Sequence, residues 1–261
     1  MRPVDIVAFM EVLAAKSGAA TLPFFRSNFA LGDKRSRDVF DPVTEADRAA
    51  ELVIRKEIAA AFPGHGVIGE EYGNDGRDCE FKWIIDPIDG TRSFICGVPL
   101  WGTLVGLTRH DTPVMGMMHQ PYIGETFMGD CAKAWVTGPQ GRRNLKTRAC
   151  SNLADAYLMT TSPSLFKGKE AESYARVERE VRLARYGGDC YAYAMLAAGQ
   201  IDLVIESGLE PYDIVALIPI IEGAGGVVTT WDGGSAAGGG QIIAAGTRQI
   251  HEKALRLMRQ D

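Results

Sequence analysis

The sequence predicts a mixed helix–sheet protein: helices packed on an antiparallel sheet (α+β), continued by an α/β half. Three observations lead to this. Apolar residues recur at helical intervals up to about residue 62. Short apolar runs separated by turn residues then fill 66–137. After a polar, Gly/Pro-punctuated stretch at 138–150, strand-like and helix-like segments alternate to the C-terminus. The division expected is therefore 1–150, helices plus antiparallel sheet, and 151–261, an α/β half. A chain of 261 residues suffices for one large or two medium domains.

Each element has its own signal. Residues 4–31 place Ile6, Phe9, Met10 and Leu13 at helical spacing and read as one long or broken helix. GDKRSRDVFDPV, 32–43, is charged and Gly/Pro-punctuated, hence an exposed loop suited to cover a site. A second helix begins at Thr44 and stops before Pro63-Gly64. GVIG, FKWII, LWGTLVGLT, VMGMMH, ETFMG and KAWVT are strands of successive hairpins. Beyond the linker-like 138–150 come the strand AYLMTT, a helix near 169–180, the strand VRLARY and a helix from about Cys190 to Ala198. IDLVIE, a helix from Asp213, GVVTTW and QIIAAG complete the chain. GGSAAGGG lacks phosphate-loop spacing and a Lys-Ser/Thr pair, and reads as a loop.

Composition narrows the function classes. Hydrophobic residues at 46% and charged residues at 23% are those of a soluble globular protein. A net charge of −5 offers no broad basic surface, so neither nucleic acid nor a membrane is an expected partner. Five cysteines, an odd number without CxxC spacing, suit reduced thiols in a cytoplasmic protein. Asp5 and Glu11 interrupt the N-terminal segment, which argues against a signal peptide, and no apolar run has membrane-spanning length.

The chemistry concentrates in WIIDPIDGTRSFI, 83–95, where a buried strand runs onto Asp86 and Asp89. Pro87 disfavours helix at Asp86, so the strand should reach Asp86 and then turn. Gly90 permits a tight turn, and Thr91 can start a short helix whose first amides, those of Gly90 and Thr91, suit an anion. Two close carboxylates disfavour each other's ionisation unless one is neutral or a cation lies between them. The alternative is a plain turn with Asp89 as a helix cap. GVIGEEYG puts Glu70 after another short strand, and EPYDIVALIPIIEG puts Asp213 at the head of an apolar helix, where it would also serve as a cap. Asp47 stands near capping-box spacing from Thr44. These residues become a site only if they meet in space. His65, His110, His119 and His251 lack ligand spacing, and no cysteine has an evident base, so an oxygen-only site favours Mg²⁺ over Zn²⁺.

With DPVTEAD, GEEYG, WIIDPIDGTRSFI and EPYDIVALIPIIEGAGG in order, the chain resembles the inositol-monophosphatase-like, Mg²⁺-dependent phosphatases from about residue 4 to 250. The resemblance implies a layered αβαβα sandwich and a homodimer. It implies that Glu70, Asp86 and the carbonyl of Ile88 hold one Mg²⁺, and that Asp86, Asp89 and Asp213 hold a second. Asp47, Thr91 and Glu70 would be catalytic, the first two placing the attacking water, with a third ion within the family's range. In-line hydrolysis of a phosphate monoester without a phosphoenzyme follows, with the phosphate received by Gly90 and Thr91.

Within the family the details look like the histidinol-phosphate phosphatase branch, which acts in histidine biosynthesis. GTRSFI replaces the more usual GTTNF, introducing Arg92; RYGGDCYAYA introduces Asp189; EPYD introduces Glu210. Glu206 matches a glutamate that contacts sugar hydroxyls in inositol enzymes. Extra carboxylates suit the ammonium and imidazole of histidinol phosphate, whereas inositol has no cationic group to reward them. Asp189 as a helix cap and Glu210 as a surface residue are the bland readings. A phosphatase for inositol 1-phosphate or another sugar phosphate is the rival enzyme. A non-catalytic, protein-binding member of the fold is the rival from another class, and the intact ligand set speaks against it.

Overall fold

The computed structural model describes residues 5–27 and 45–259. The expected loop 32–43 and the cap at Thr44 lie outside these residues. Helix α1 (Ile6–Thr21) starts where the Asp5 carboxylate accepts from the amides of Val7 and Ala8. It ends well before residue 31, because Pro23 has no N–H to continue the ladder. Helix α2 (Glu45–Ala61) buries Ala46, Asp47, Ala50, Glu51, Ile54 and Ile58, one stripe at helical spacing. It stops just before Pro63-Gly64.

Among the described residues, eight strands form the first sheet. They are β1 (Gly66–Gly69), β2 (Gly73–Asn74), β3 (Phe81–Asp89), β4 (Gly102–Arg109), β5 (Thr112–Gln120), β6 (Glu125–Gly129), β7 (Ala134–Gly138) and β8 (Gly141–Asn144), in the order β2-β1-β3-β4-β5-β6-β7-β8. Helix α3 (Thr91–Ile95) lies between β3 and β4. The sheet departs from the expected hairpins in two places. β1 pairs parallel to β3, because the chain folds back through β2 before returning to the same end of the sheet. Residues 138–150, expected as a linker, contain β8, which closes a hairpin with β7 through Gly141 at φ 87°.

The second sheet has the order β10-β9-β11-β13-β12. Its elements are β9 (Tyr157–Thr160), helix α4 (Lys169–Glu178), β10 (Leu183–Tyr186), helix α5 (Asp189–Ala197), β11 (Leu203–Leu209), helices α6 (Pro211–Ile214) and α7 (Leu217–Gly223), β12 (Val227–Thr230), β13 (Gly240–Ala245) and helix α8 (Arg248–Met258). β10, β9 and β11 are parallel, while β13 runs antiparallel to both β11 and β12. The first sheet ends at Asn144 and the second begins at Tyr157. Helix α8 is absent from the sequence expectation, although Ile250, Ala254, Leu255 and Met258 mark a clear apolar face.

These elements stack as αβαβα. Phe9, Met10 and Leu13 of α1, with Ile54 and Ile58 of α2, pack on Trp83, Ile85, Val105, Leu107 and Met117 of the first sheet. Helices α5 and α7 fill the middle layer, where Cys190, Leu196, Leu217 and Ile221 meet Leu104, Met118 and Phe127 on one side and Val204, Ile242 and Ala244 on the other. Helices α4 and α8 close the outer face of the second sheet through Tyr174, Val177, Ile250 and Leu255. All five cysteines are free. Among the described residues no helix is long and apolar enough to cross a membrane.

A row of glycines sets the middle layer against the first sheet. Gly106, Gly116 and Gly129 are direct cross-strand neighbours on β4, β5 and β6. A Cβ at Gly116 would lie 1.9 Å from the carbonyl oxygen of Ala216, and one at Gly129 would lie 2.4 Å from that of Pro219. The backbone joining α6 to α7 therefore lies directly on the sheet, and Asp213 on α6 stands two residues before it. Gly116→Ala must lift the segment, and overpacking of this kind is expected to cost about 3 kcal/mol of stability. Urea denaturation of the variant checks this; unchanged stability would mean that the helix pair shifts freely over the sheet.

Candidate active site

The parallel pairing of β1 and β3 carries two acidic segments to one end of the sheet. The Glu70 amide donates to the carbonyl of Ile85 (3.1 Å), one residue before Asp86. Asp86 is buried, and its Oδ1 accepts from the Ile88 amide (3.0 Å). The strand runs past Asp86 to Asp89, with a register irregularity between them that breaks regular alternation. Pro87 withholds a ladder donor at this point. Gly90 follows at φ 84°, and α3 starts at Thr91. The Thr91 hydroxyl donates to the carbonyl of Ile88 (3.2 Å).

Two remote helix starts complete the cluster. The amide of Cys190, in the first turn of α5, donates to Asp89 Oδ2 (2.6 Å). Asp213 is not the cap expected from its place at the helix head: α6 begins at Pro211, with Glu210 at the N-cap. Asp213 Oδ2 instead accepts from the Glu210 amide (2.7 Å), reaching back from the third position of the helix. Ligand atoms of Asp86, Asp89 and Asp213 lie within 4.8 Å of one another, and Glu70 shares a hydrogen bond with Asp86.

The electrostatics suit a cation. Burial, reinforced by neighbouring carboxylates, pushes Glu70 up to about 7 and holds Asp86 and Asp89 well above the usual carboxylate range. Asp213 is pushed up to about 6, again chiefly by burial. Among the described residues no Lys or Arg forms a salt bridge with any of the four. Oxygen donors crowded this closely, with no salt-bridge partner among the described residues, fit a hard divalent ion such as Mg²⁺. Asp47 is buried in the first turn of α2, close enough for its charge to raise both Glu70 and Glu71.

The remaining expected residues divide. Asp189 lies beside Gly90, where a Cβ would sit 3.1 Å from its carboxylate. The carboxylate accepts from Ser93 Oγ (2.8 Å) and Thr161 Oγ1 (3.4 Å), and the backbone at Asp189 is left-handed, φ 44°. Neither side-chain bond caps α5. Burial raises its pKa, while Ser93, Thr161 and the nearby Arg92 pull it down. Glu206 is buried; its oxygens accept from the Thr161 amide (2.6 Å) and Thr160 Oγ1 (3.3 Å), and it is pushed up to about 7. Glu206 thus joins the site through Thr161, which in turn touches Asp189. Arg92 and Glu210 are exposed.

Several contributors were not foreseen. The Cys190 amide and Thr161 carry no sequence signal, because only the meeting of the two sheets brings them to Asp89 and Asp189. Tyr193, one helical turn after Asp189, is buried near Glu206, Asp89 and Asp213, and helical spacing would have found it. Glu51, one turn after Asp47 on α2, was legible in the same way.

Comparison with known proteins agrees with this geometry. The family model for the inositol monophosphatase family matches residues 3–261. The chloroplastic bifunctional phosphatase IMPL2 of Arabidopsis thaliana is 42% identical over 259 residues, covering 94% of this chain and 72% of that protein. A histidinol-phosphatase of Chlorobaculum parvum is 35% identical, covering 82% of this chain and 81% of its own. The solved structure of an inositol monophosphatase from Zymomonas mobilis superposes with a TM-score of 0.88 at 36% identity, over 98% of each chain. With the acidic cluster assembled on the αβαβα frame, the chain belongs to the inositol monophosphatase family.

Proposed function

We propose that this phosphatase is a Mg²⁺-dependent histidinol-phosphate phosphatase, releasing histidinol and phosphate by direct attack of water. Glu70, Asp86, the Ile88 carbonyl, Asp89 and Asp213 would hold two Mg²⁺, or three with a further ion beside them. Bound there, Mg²⁺ would supply Lewis acidity to the phosphate and lower the pKa of water. The Thr91 hydroxyl donates its hydrogen bond to the Ile88 carbonyl, so its lone pairs are left to accept from the attacking water. Asp47 accepts from the same water on the side of α2, and the two acceptors aim its lone pair at phosphorus. The amides of Gly90 and Thr91 receive non-bridging oxygens. A cytoplasmic homodimer, as the family suggests, belongs to the same reading, and sedimentation equilibrium tests the dimer.

The observation that carries the substrate choice is the placement of Asp189. It is a carboxylate beside Gly90, held by Ser93 and Thr161 and within the field of Arg92, on the rim of the phosphate turn. There it would accept from the ammonium or imidazole of the substrate, with Glu206 fixing Thr161 beneath it and exposed Arg92 and Glu210 at the mouth. The similarity to histidinol-phosphatases supports this choice. The similarity to the inositol monophosphatase of Zymomonas mobilis favours an inositol monophosphate, such as inositol 1-phosphate, as the second reading. Turnover of the two substrates at equal concentration with Mg²⁺ separates them, and preference for inositol 1-phosphate would overturn the first.

Asp189→Ala provides a sharper test. A charge-assisted hydrogen bond contributes roughly 1.5–3 kcal/mol, about one to two decades in specificity. The variant should lose that factor in kcat/KM for histidinol phosphate and change little for glycerol phosphate. Equal losses on both would assign Asp189 to holding α3 and α5 together.

A further inference from the structure

Glu51 is fully buried on α2, yet it is neither in the acidic cluster nor in its expected ligand set. A buried carboxylate is costly unless several donors satisfy it. Here three do. Arg55 Nε donates to Oε1 (2.6 Å), the Glu71 amide to Oε2 (2.8 Å) and the Tyr72 amide to Oε1 (3.2 Å). Two of these donors are the backbone groups immediately after Glu70. Arg55 also donates to the Gly73 carbonyl, and Arg48 pairs with Glu71 (3.5 Å), so one helix grips the whole turn. The chain opposite has made space for the carboxylate: a Cβ at Gly69 would lie 2.1 Å from Glu51 Oε1.

The same turn is held from its other side by β3, through the Glu70 amide and the Ile85 carbonyl. Glu70 thus projects from a backbone pinned between two elements. One carries Asp86 and the other carries Asp47, a single helical turn from Glu51. The ion pair with Arg55 lies within α2 and by itself would tie that helix to nothing. Acceptance of two consecutive amides next to an acidic residue of the cluster does more, because it fixes where that residue points.

We propose that Glu51 is a positioning residue: it clamps the 70–72 turn onto α2 and thereby sets the affinity of the acidic site for its divalent ion. The inference rests on the metal-dependent reading above. Outer groups that orient metal ligands change metal affinity by about 10–100-fold when removed. In Glu51→Gln one oxygen becomes an NH₂ that faces an N–H donor, so at least one of the three bonds is lost while the volume is kept.

The test is calorimetric titration of Mg²⁺ into metal-free protein, well below the melting temperature. Glu51→Gln should bind Mg²⁺ about 10–100-fold more weakly, while KM for substrate at saturating Mg²⁺ stays near wild type. Glu57→Gln, on the same helix but paired with Lys16 at the surface, should bind Mg²⁺ as wild type does. A folded Glu51→Gln protein with wild-type Mg²⁺ affinity overturns the inference. Should that variant fail to fold, Arg55→Gln decides the matter: it loosens the clamp from outside and should weaken Mg²⁺ binding measurably, and unchanged binding overturns the inference. If the wild-type protein itself binds no divalent ion, the functional reading falls first.

Discussion

Asp89→Asn is expected to lower kcat by about a thousandfold or more while leaving the fold intact. Asp89 lies among the closely spaced oxygens of Asp86 and Asp213, and metal stabilisation of developing charge is worth several kcal/mol. The side-chain oxygen of Asn can still accept the Cys190 amide, so the link from β3 to α5 survives. Asp89 is held well above the carboxylate range by burial first, then by Asp213 and Asp189. Removing its charge relieves that repulsion, so the metal-free variant should melt no lower than the metal-free parent and should bind Mg²⁺ weakly. Steady-state kinetics and thermal melts of both proteins in chelator decide it. Near-normal turnover would reduce Asp89 to a structural acceptor at the start of α5.

Chelation is expected to remove activity completely and leave the circular-dichroism spectrum largely unchanged, because the hydrophobic clusters between the layers are built from side chains other than the acidic ones. The stability of the metal-free protein should then depend on pH in a defined direction. Glu70 is raised from 4.5 to about 7 and Asp213 from 3.8 to about 6. A carboxyl with a raised folded-state pKa binds its proton more tightly in the native state. Its contribution to stability is therefore full below the unfolded pKa and is lost as pH rises through the folded value. The melting temperature in chelator should fall between about pH 5 and pH 8. Excess Mg²⁺ should reverse the loss, with an increment that grows with pH as the ligands deprotonate. Calorimetry at several pH values with chelator and with Mg²⁺ measures this. A flat chelator profile would mean that the carboxylates do not burden one another, and full turnover in chelator would sink the metal reading.

Much of this site was legible in the primary structure. The break of a strand onto Asp86 and Asp89, the glycine that follows, and a short helix from Thr91 are local events. Local steric rules predict such events and the structure shows them: Gly90 is left-handed and α3 begins at Thr91. The motifs also identified Glu70 and Asp213 as partners by resemblance, before any geometry linked them. Helical periodicity would have exposed Glu51 as the residue stacked one turn beyond Asp47, and would have found α8. Strand direction was not legible. The residues of β1 look the same whether their neighbour runs parallel or antiparallel, since both pairings bury the same side chains.

What the sequence determined by itself is the set of chemical groups and their local settings: carboxylates at strand ends, turns at Gly90 and Pro63-Gly64, amphipathic helices, and the order of the longer strands and helices apart from α8. These follow from interactions between residues a few positions apart, which any stretch of chain carries with it. The tertiary structure alone decided which groups meet. Parallel pairing of β1 with β3 brings Glu70 to Asp86, the glycine row lets the segment after Asp213 lie on the first sheet, and the start of α5 supplies an amide to Asp89. Each of these contacts depends on the relative placement of layers that are far apart in the chain. That placement is set by packing of whole faces against one another, and no single residue announces it.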